Sequence, residues 1–279
     1  MTSSMLGILA ALASAVSWGG GDFSGGLASR RSLPFQVLAT SGFISLLIFL
    51  GSALIIRELL PPPSSLIWAM LAGIAGALGL GSLYQGLAKG SAAIVSPTAA
   101  VLGASIPVIF SAISEGLPRM ERLVGICLGV LGIWLVSQSA SGDSHLRHRD
   151  LTLAVLAGIS FAVFFIFLGE IPPGSIFYPL AIAKGVSVLT AISILCLQRK
   201  SILPKPDPVL ILTGVFEAGG NWGFLLSRQL TRLDIAVVLS SMYPAVTVIL
   251  AWLITRQHIS RSQWAGMVLC LLAVALIAL

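Results

Sequence analysis

Apolar residues run through this chain in long stretches, interrupted by short clusters of Arg, Pro, Gly and Ser. A helix needs about 20 mostly apolar residues to cross the hydrocarbon core of a bilayer. On that measure ten spans are expected: Met5–Ser29, Leu33–Ile56, Ser65–Ala88, Ser91–Ser114, Leu123–Gln138, Leu151–Gly169, Ile176–Leu197, Pro208–Leu230, Ile235–Thr255 and Gln263–Leu279. Arg30-Arg31-Ser32, Arg57-Glu58 with Pro61-Pro62-Pro63, and Pro172-Pro173-Gly174 mark turns between them. The most polar stretch, Ser139–Asp150, lies at the midpoint and separates five spans from five.

That symmetry points to a duplication. Ala11–Gly19 resembles Ala154–Ala162, Gly86–Val95 resembles Gln229–Val238, and Gly125–Val136 resembles Gly266–Ile277, in the same order and at a nearly constant offset. The second match pairs Lys89 with Arg232, and the same offset pairs Tyr84 with Ser227 and Gln85 with Arg228. The expected organisation is a first repeat over 1–140, a polar linker over 141–150 and a second repeat over 151–279. An odd number of crossings per half makes the second half enter from the opposite side. The expected fold is therefore an all-α polytopic membrane protein of ten transmembrane helices in two inverted five-helix repeats, an architecture suited to alternating access.

Composition removes the soluble alternatives. Hydrophobic residues make up 57% of the chain and charged residues 9%, against roughly 25% charged in soluble domains. The net charge of +6 sits in short turns, so it marks membrane flanks rather than a nucleic-acid surface. Cys127, Cys196 and Cys270 lie inside apolar runs, with no CxxC, and are expected to be packing residues. The N-terminal stretch lacks a basic n-region and is expected to be a retained membrane helix. With the N-terminus outside, more of the Lys and Arg residues fall on cytoplasmic turns, which favours N-out.

The ten-helix layout resembles the EamA-type transporters of the drug/metabolite transporter superfamily. The resemblance is carried by SWGGGDFSGG at Ser17–Gly26, AKGSAAIVSP at Ala88–Pro97, and the glutamate-containing turn and glycine-rich helix of Ser114–Val136. Met242–Leu269 repeats the last pattern, with Arg256 and Gln257 where that glutamate would stand. The resemblance implies a transporter of small organic molecules such as amino acids or drugs, working as an exporter, in a bacterial inner membrane. It also implies both termini in the cytoplasm, against the charge bias, so orientation stays open.

Ionisable groups inside a membrane are costly, and each is a functional candidate. Asp22 lies among Gly19, Gly20, Gly21, Gly25 and Gly26; a cap pointing to water is the bland alternative. Lys184 sits mid-span and needs a counter-ion or a wet cavity, unless it snorkels. Glu217, Asn221 and Arg228 share one helix face within roughly 40°. Glu217 and Lys184 are the expected intramembrane ion pair, structural or functional. Trp18, Tyr84, Gln85, Trp222 and Tyr243 complete the substrate-binding candidates, although Trp and Tyr also populate interfacial belts. Pro97, Pro107 and Pro244 are expected to free carbonyls inside their helices.

No G-x-S-x-G, H-E-x-x-H or P-loop is present, and His145, His148 and His258 fall in expected turns. No catalysis, cofactor or metal is expected. The partners are the lipid bilayer and a small-molecule substrate, with proton coupling through Glu217 or Asp22 if transport is proton-driven, and with a monomer or homodimer both open. A membrane-embedded lipid-modifying enzyme would need polar residues clustered at one interface. A channel or structural subunit would need polar stripes on several helices, and only the span carrying Glu217 has one.

Overall fold

The computed structural model describes residues 3–88, 92–137, 148–256 and 259–278. Eleven helices follow one another among these residues: α1 (Ser3–Ala28), α2 (Pro34–Ile55), α3 (Pro63–Ala88), α4 (Ala92–Ser114), α5 (Met120–Ser137), α6 (His148–Gly169), α7 (Phe177–Leu197), α8 (Val209–Leu230), α9 (Leu233–Ser240), α10 (Tyr243–Thr255) and α11 (Arg261–Ala278). Seven spans among the described residues are long and apolar enough to cross a membrane, with Leu233–Ile254 counted as one. The protein is an integral, multi-pass membrane protein. Its outer surface carries large apolar side chains such as Phe43, Leu47, Ile109, Leu253 and Leu271, while Ser14, Ser41, Ser45 and Thr213 are fully buried. That inverts a soluble protein's pattern, as lipid on the outside requires.

The expected ninth span, Ile235–Thr255, is not one continuous helix. It begins at Leu233 and breaks between Ser240 and Tyr243, where Pro244 stands in the first turn of α10. A proline there has no N–H to give and its ring excludes the carbonyl four residues back, so the ladder stops at Ser240 and restarts. Pro97 and Pro107, by contrast, lie within the continuous helix α4. The polar midpoint is shorter than expected, because α6 already begins at His148, so that histidine opens a helix rather than lying in a turn. His145, His258 and Lys89 lie outside the described residues.

Packing follows the expected duplication. With α6 to α8 as counterparts of α1 to α3, α9–α10 of α4, and α11 of α5, the three most extensive kinds of cross-half pairing between non-equivalent helices have exchanged equivalents. Helix α1 packs along α8 and α3 along α6; α4 lies on α6 and α1 against α9 and α10; α3 meets α7 and α2 meets α8. The seams α2 on α7, α5 on α11 and α4 on α9 join equivalent helices, while α5 also touches α9 and α10.

Small residues allow this contact, as membrane helix interfaces require. A Cβ on Gly73 would lie within 2.3 Å of the Ala183 carbonyl oxygen, and one on Gly223 within 2.7 Å of the Ala10 carbonyl oxygen. Serines tie neighbouring helices as well: Ser14 Oγ of α1 donates to the Gly220 carbonyl of α8 (2.7 Å) and Ser45 Oγ of α2 to the Gly214 carbonyl of α8 (2.7 Å).

Hydrogen bonds between loops identify two ends of the bundle. At the end where α1 starts, the Glu58 carboxylate accepts from the backbone N–H groups of Ile176 (2.6 Å), Phe177 (3.0 Å) and Tyr178 (2.7 Å). It thereby caps α7, where unpaired donors and the helix dipole both favour an anion. At the other end Arg31 pairs with Asp207 (3.4 Å), and Gln36 Nε2 donates to the Ser201 carbonyl (2.8 Å). These are called below the N-terminal end and the far end.

Candidate functional site

A cavity lies at mid-depth between the two halves. Helix α1 contributes Trp18 and Asp22, α6 contributes Phe161, Phe164 and Phe165, α7 contributes Lys184 and Ser187, and α8 contributes Glu217 and Asn221. Ser241 and Tyr243 come from the break between α9 and α10. Ala72, Gly73 and Gly76 of α3 and Ala99, Ala100 and Gly103 of α4 complete the lining.

The charged centre is built from three helices. Lys184 Nζ donates to Glu217 Oε2 at 2.5 Å, and both side chains are buried. Ser41 Oγ donates to the other Glu217 oxygen at 3.4 Å. Asn221, one turn along α8, donates through Nδ2 to the Glu217 carbonyl at 2.6 Å, which fixes its amide against the helix. Buried charges persist when they are paired and hydrogen-bonded, and Glu217 meets both conditions. Asp22 meets neither: it makes no hydrogen bond or ion pair with any described residue. Its electrostatic neighbours are Glu217, Tyr84 and Tyr243.

One turn before Asp22 on α1, Trp18 anchors an aromatic cluster. Its ring lies 5.6 Å from Phe165 edge to face, 5.9 Å from Phe224, and 6.4 Å from both Phe164 and Tyr243. Helix direction puts this cluster on the N-terminal side of Asp22. Beyond it α9 is buried along its whole length, against α1, α4 and α8 among others. The cavity is therefore closed toward the N-terminal end.

Ion pairs lock that end. Arg228 Nη2 lies 2.9 Å from Glu115 Oε1, joining α8 to the residue after α4. Arg232 donates to the Glu115 carbonyl (3.0 Å) and the Gly116 carbonyl (2.5 Å), and its Nη2 is 3.0 Å from Asp234 Oδ2. Arg228 also donates through Nε to the Gly169 carbonyl (3.1 Å). Of the polar stripe expected on α8, only Glu217 and Asn221 reach the cavity; Arg228 belongs to this lock.

Six of the residues singled out from sequence line the cavity together: Trp18, Asp22, Lys184, Glu217, Asn221 and Tyr243. Tyr84 does not line it, but is buried on α3 with its hydroxyl against Gly25 of α1. Gln85 also lies outside the lining. Trp222 points outward and is 39% exposed, because neighbouring Asn221 takes the inward direction on α8. Cys127 and Cys196 are exposed and Cys270 is buried, all as free thiols. Sequence reasoning missed Phe161, Phe164 and Phe165, which read as ordinary apolar positions, and Glu115 and Glu58, which read as turn residues.

The EamA-like transporter family model matches residues 5–138 and again residues 150–279. The chain belongs to the EamA-like transporter family. It is thus a membrane transporter of the drug/metabolite type. Solved structures also match, with 24 chains in all; one crystal structure, described simply as a protein, superposes with a TM-score of 0.76 at 16% identity, over 99% of this chain and 98% of the other. At that identity the likeness shows the fold alone. None of the curated proteins matches the sequence.

Proposed function

We propose that this EamA-like protein is a secondary transporter that exports a small organic metabolite, an amino acid or drug-like molecule, from a bacterial cell by alternating access. One observation carries the reading: the mid-depth cavity takes charged groups from both halves and is closed at one end by contacts that cross between them. Rocking of the halves would part Glu115 from Arg228 and Arg232, opening the cavity at the N-terminal end while the far end closes.

The underlying architecture is ten crossings in two inverted repeats, 1–140 and 151–279, with α9 and α10 forming one broken crossing. The exchange-symmetric packing and the paired family matches support it. Broken helices at mid-depth suit a binding site, because irregular backbone is tolerated in a membrane where it lines a cavity.

In this reading Trp18, Asp22, Lys184, Glu217, Asn221 and Tyr243 contact the substrate. If protons drive transport, Asp22 is the better coupling group, since Glu217 is engaged by Lys184 and Ser41. A resistance screen tests the function: cells overexpressing the chain should tolerate one chemical class of toxic metabolite or drug. No gain in tolerance, with no flux of the screened compounds in proteoliposomes, refutes the export reading.

A further inference from the structure

We infer that the substrate is an organic cation, an ammonium carried on an apolar or aromatic body, and that its positive charge is received by Asp22. The inference rests on the reading of this cavity as the transport site and narrows it to a substrate class.

The argument starts from charge. The described lining of the cavity holds two carboxylates, Asp22 and Glu217, and one ammonium, Lys184. Lys184 is committed to Glu217 at 2.5 Å, and Ser41 occupies the second Glu217 oxygen. One acidic group, Asp22, remains uncompensated beside a second carboxylate. An unpaired carboxylate on the wall of an intramembrane cavity is costly, so the site calls for one more cation.

The walls select which cation. Trp18, Tyr243, Phe161 and Phe164 face the same space, and an aromatic face attracts a cation placed over it. Ala72, Ala99 and Ala100 add small apolar side chains to the lining, suited to a hydrocarbon or aromatic body. An anionic substrate would meet two carboxylates and find the lysine already taken. A zwitterion would have to pull Lys184 away from Glu217 to place its own carboxylate.

Three molecules with a shared phenyl body separate these cases: phenethyltrimethylammonium, a permanent cation; L-phenylalanine, a zwitterion; and 3-phenylpropionate, an anion. Purified protein is reconstituted in liposomes, and flux of each labelled compound is followed for the wild type, Asp22→Asn and Asp22→Glu. The expected result is flux of the cation about tenfold or more above the other two, falling to background in Asp22→Asn and partly retained in Asp22→Glu. Equal unfolding temperatures for wild type and Asp22→Asn guard against a folding defect. Flux led by the zwitterion or anion overturns the cation inference and leaves the transport reading standing. Cation flux unchanged in Asp22→Asn overturns the role of Asp22. Absence of flux for all three overturns the inference as stated, whereas the transport reading falls only if the resistance screen also fails. Cation flux in Asp22→Asn that still follows a pH gradient places both the recognition of the positive charge and the coupling outside Asp22, and likewise counts against the inference.

Discussion

Lys184 Nζ stands 2.5 Å from Glu217 Oε2, closing a buried ion pair between α7 and α8 on the wall of the central cavity. Removing one member strands the other in a poorly solvated site. Lys184→Met should therefore lower stability by about 3–5 kcal/mol, as should Glu217→Gln. The double variant should recover much of that loss, since two neutral groups replace two charges. Thermal unfolding in detergent measures all three; a double variant no more stable than either single one would show that the pair is not coupled.

Asp22 should behave in the opposite way. It has no hydrogen-bonded partner among the described residues, so Asp22→Asn removes an unpaired charge without orphaning another group. The unfolding temperature should stay level or rise, while substrate flux falls to background. A marked loss of stability would mean that the carboxylate holds the fold together.

Glycine positions divide by what surrounds them. Gly73→Ala drives a methyl to within 2.3 Å of the Ala183 carbonyl, part of a helix backbone that cannot swing aside. Helices α3 and α7 must separate, at a cost of about 1–3 kcal/mol. Gly51 has no atom within 4 Å of the equivalent position, so Gly51→Ala should be neutral or stabilising by about 0.5–1 kcal/mol through helix propensity. Melting curves of the two variants should move in opposite directions or differ by at least the smaller of these amounts.

The lock at the N-terminal end should be weaker than the buried pair. Glu115 and Arg228 are each 23% exposed at the side chain, which discounts their attraction to about 1 kcal/mol. Glu115→Gln should then shift the population toward opening at that end by roughly fivefold. A cysteine at Ser240, which is fully buried, reports this in a background lacking the three native cysteines. Its labelling by a membrane-impermeant maleimide should speed up by a similar factor. An unchanged rate would remove Glu115 from the gate.

Much of the architecture was legible in the sequence because lipid imposes a coarse rule. Apolar runs of crossing length are hard to reconcile with any other environment, and charged turns between them mark where helices end. The few ionisable residues inside those runs were equally visible: Asp22, Lys184 and Glu217 stand out against their neighbours, and all three line one cavity. The break at Ser241–Met242 was less visible. Pro244 announces a disturbance, yet Pro97 and Pro107 occur within a continuous α4.

Direction around the helix axis was harder to read in a uniformly apolar segment. Trp222 and Asn221 are adjacent in sequence, and only packing against α1 and α2 decides that Asn221 turns inward and Trp222 outward. Phe164 and Phe165 look like any other lipid-facing residues until α6 is set on α3 and α4, which brings their rings beside Trp18. Glu115 and Glu58 resemble ordinary turn charges, because their partners, Arg228 and the first turn of α7, lie more than a hundred residues away.

By itself, the sequence determined the solvent, the multi-pass character and which charges are out of place, since each follows from local composition measured against hydrocarbon. The Lys184–Glu217 pair was already expected from sequence, and the structure makes it at 2.5 Å. Only the tertiary structure decided that Asp22 is left without a partner, because charge balance is a property of all the groups brought together in space.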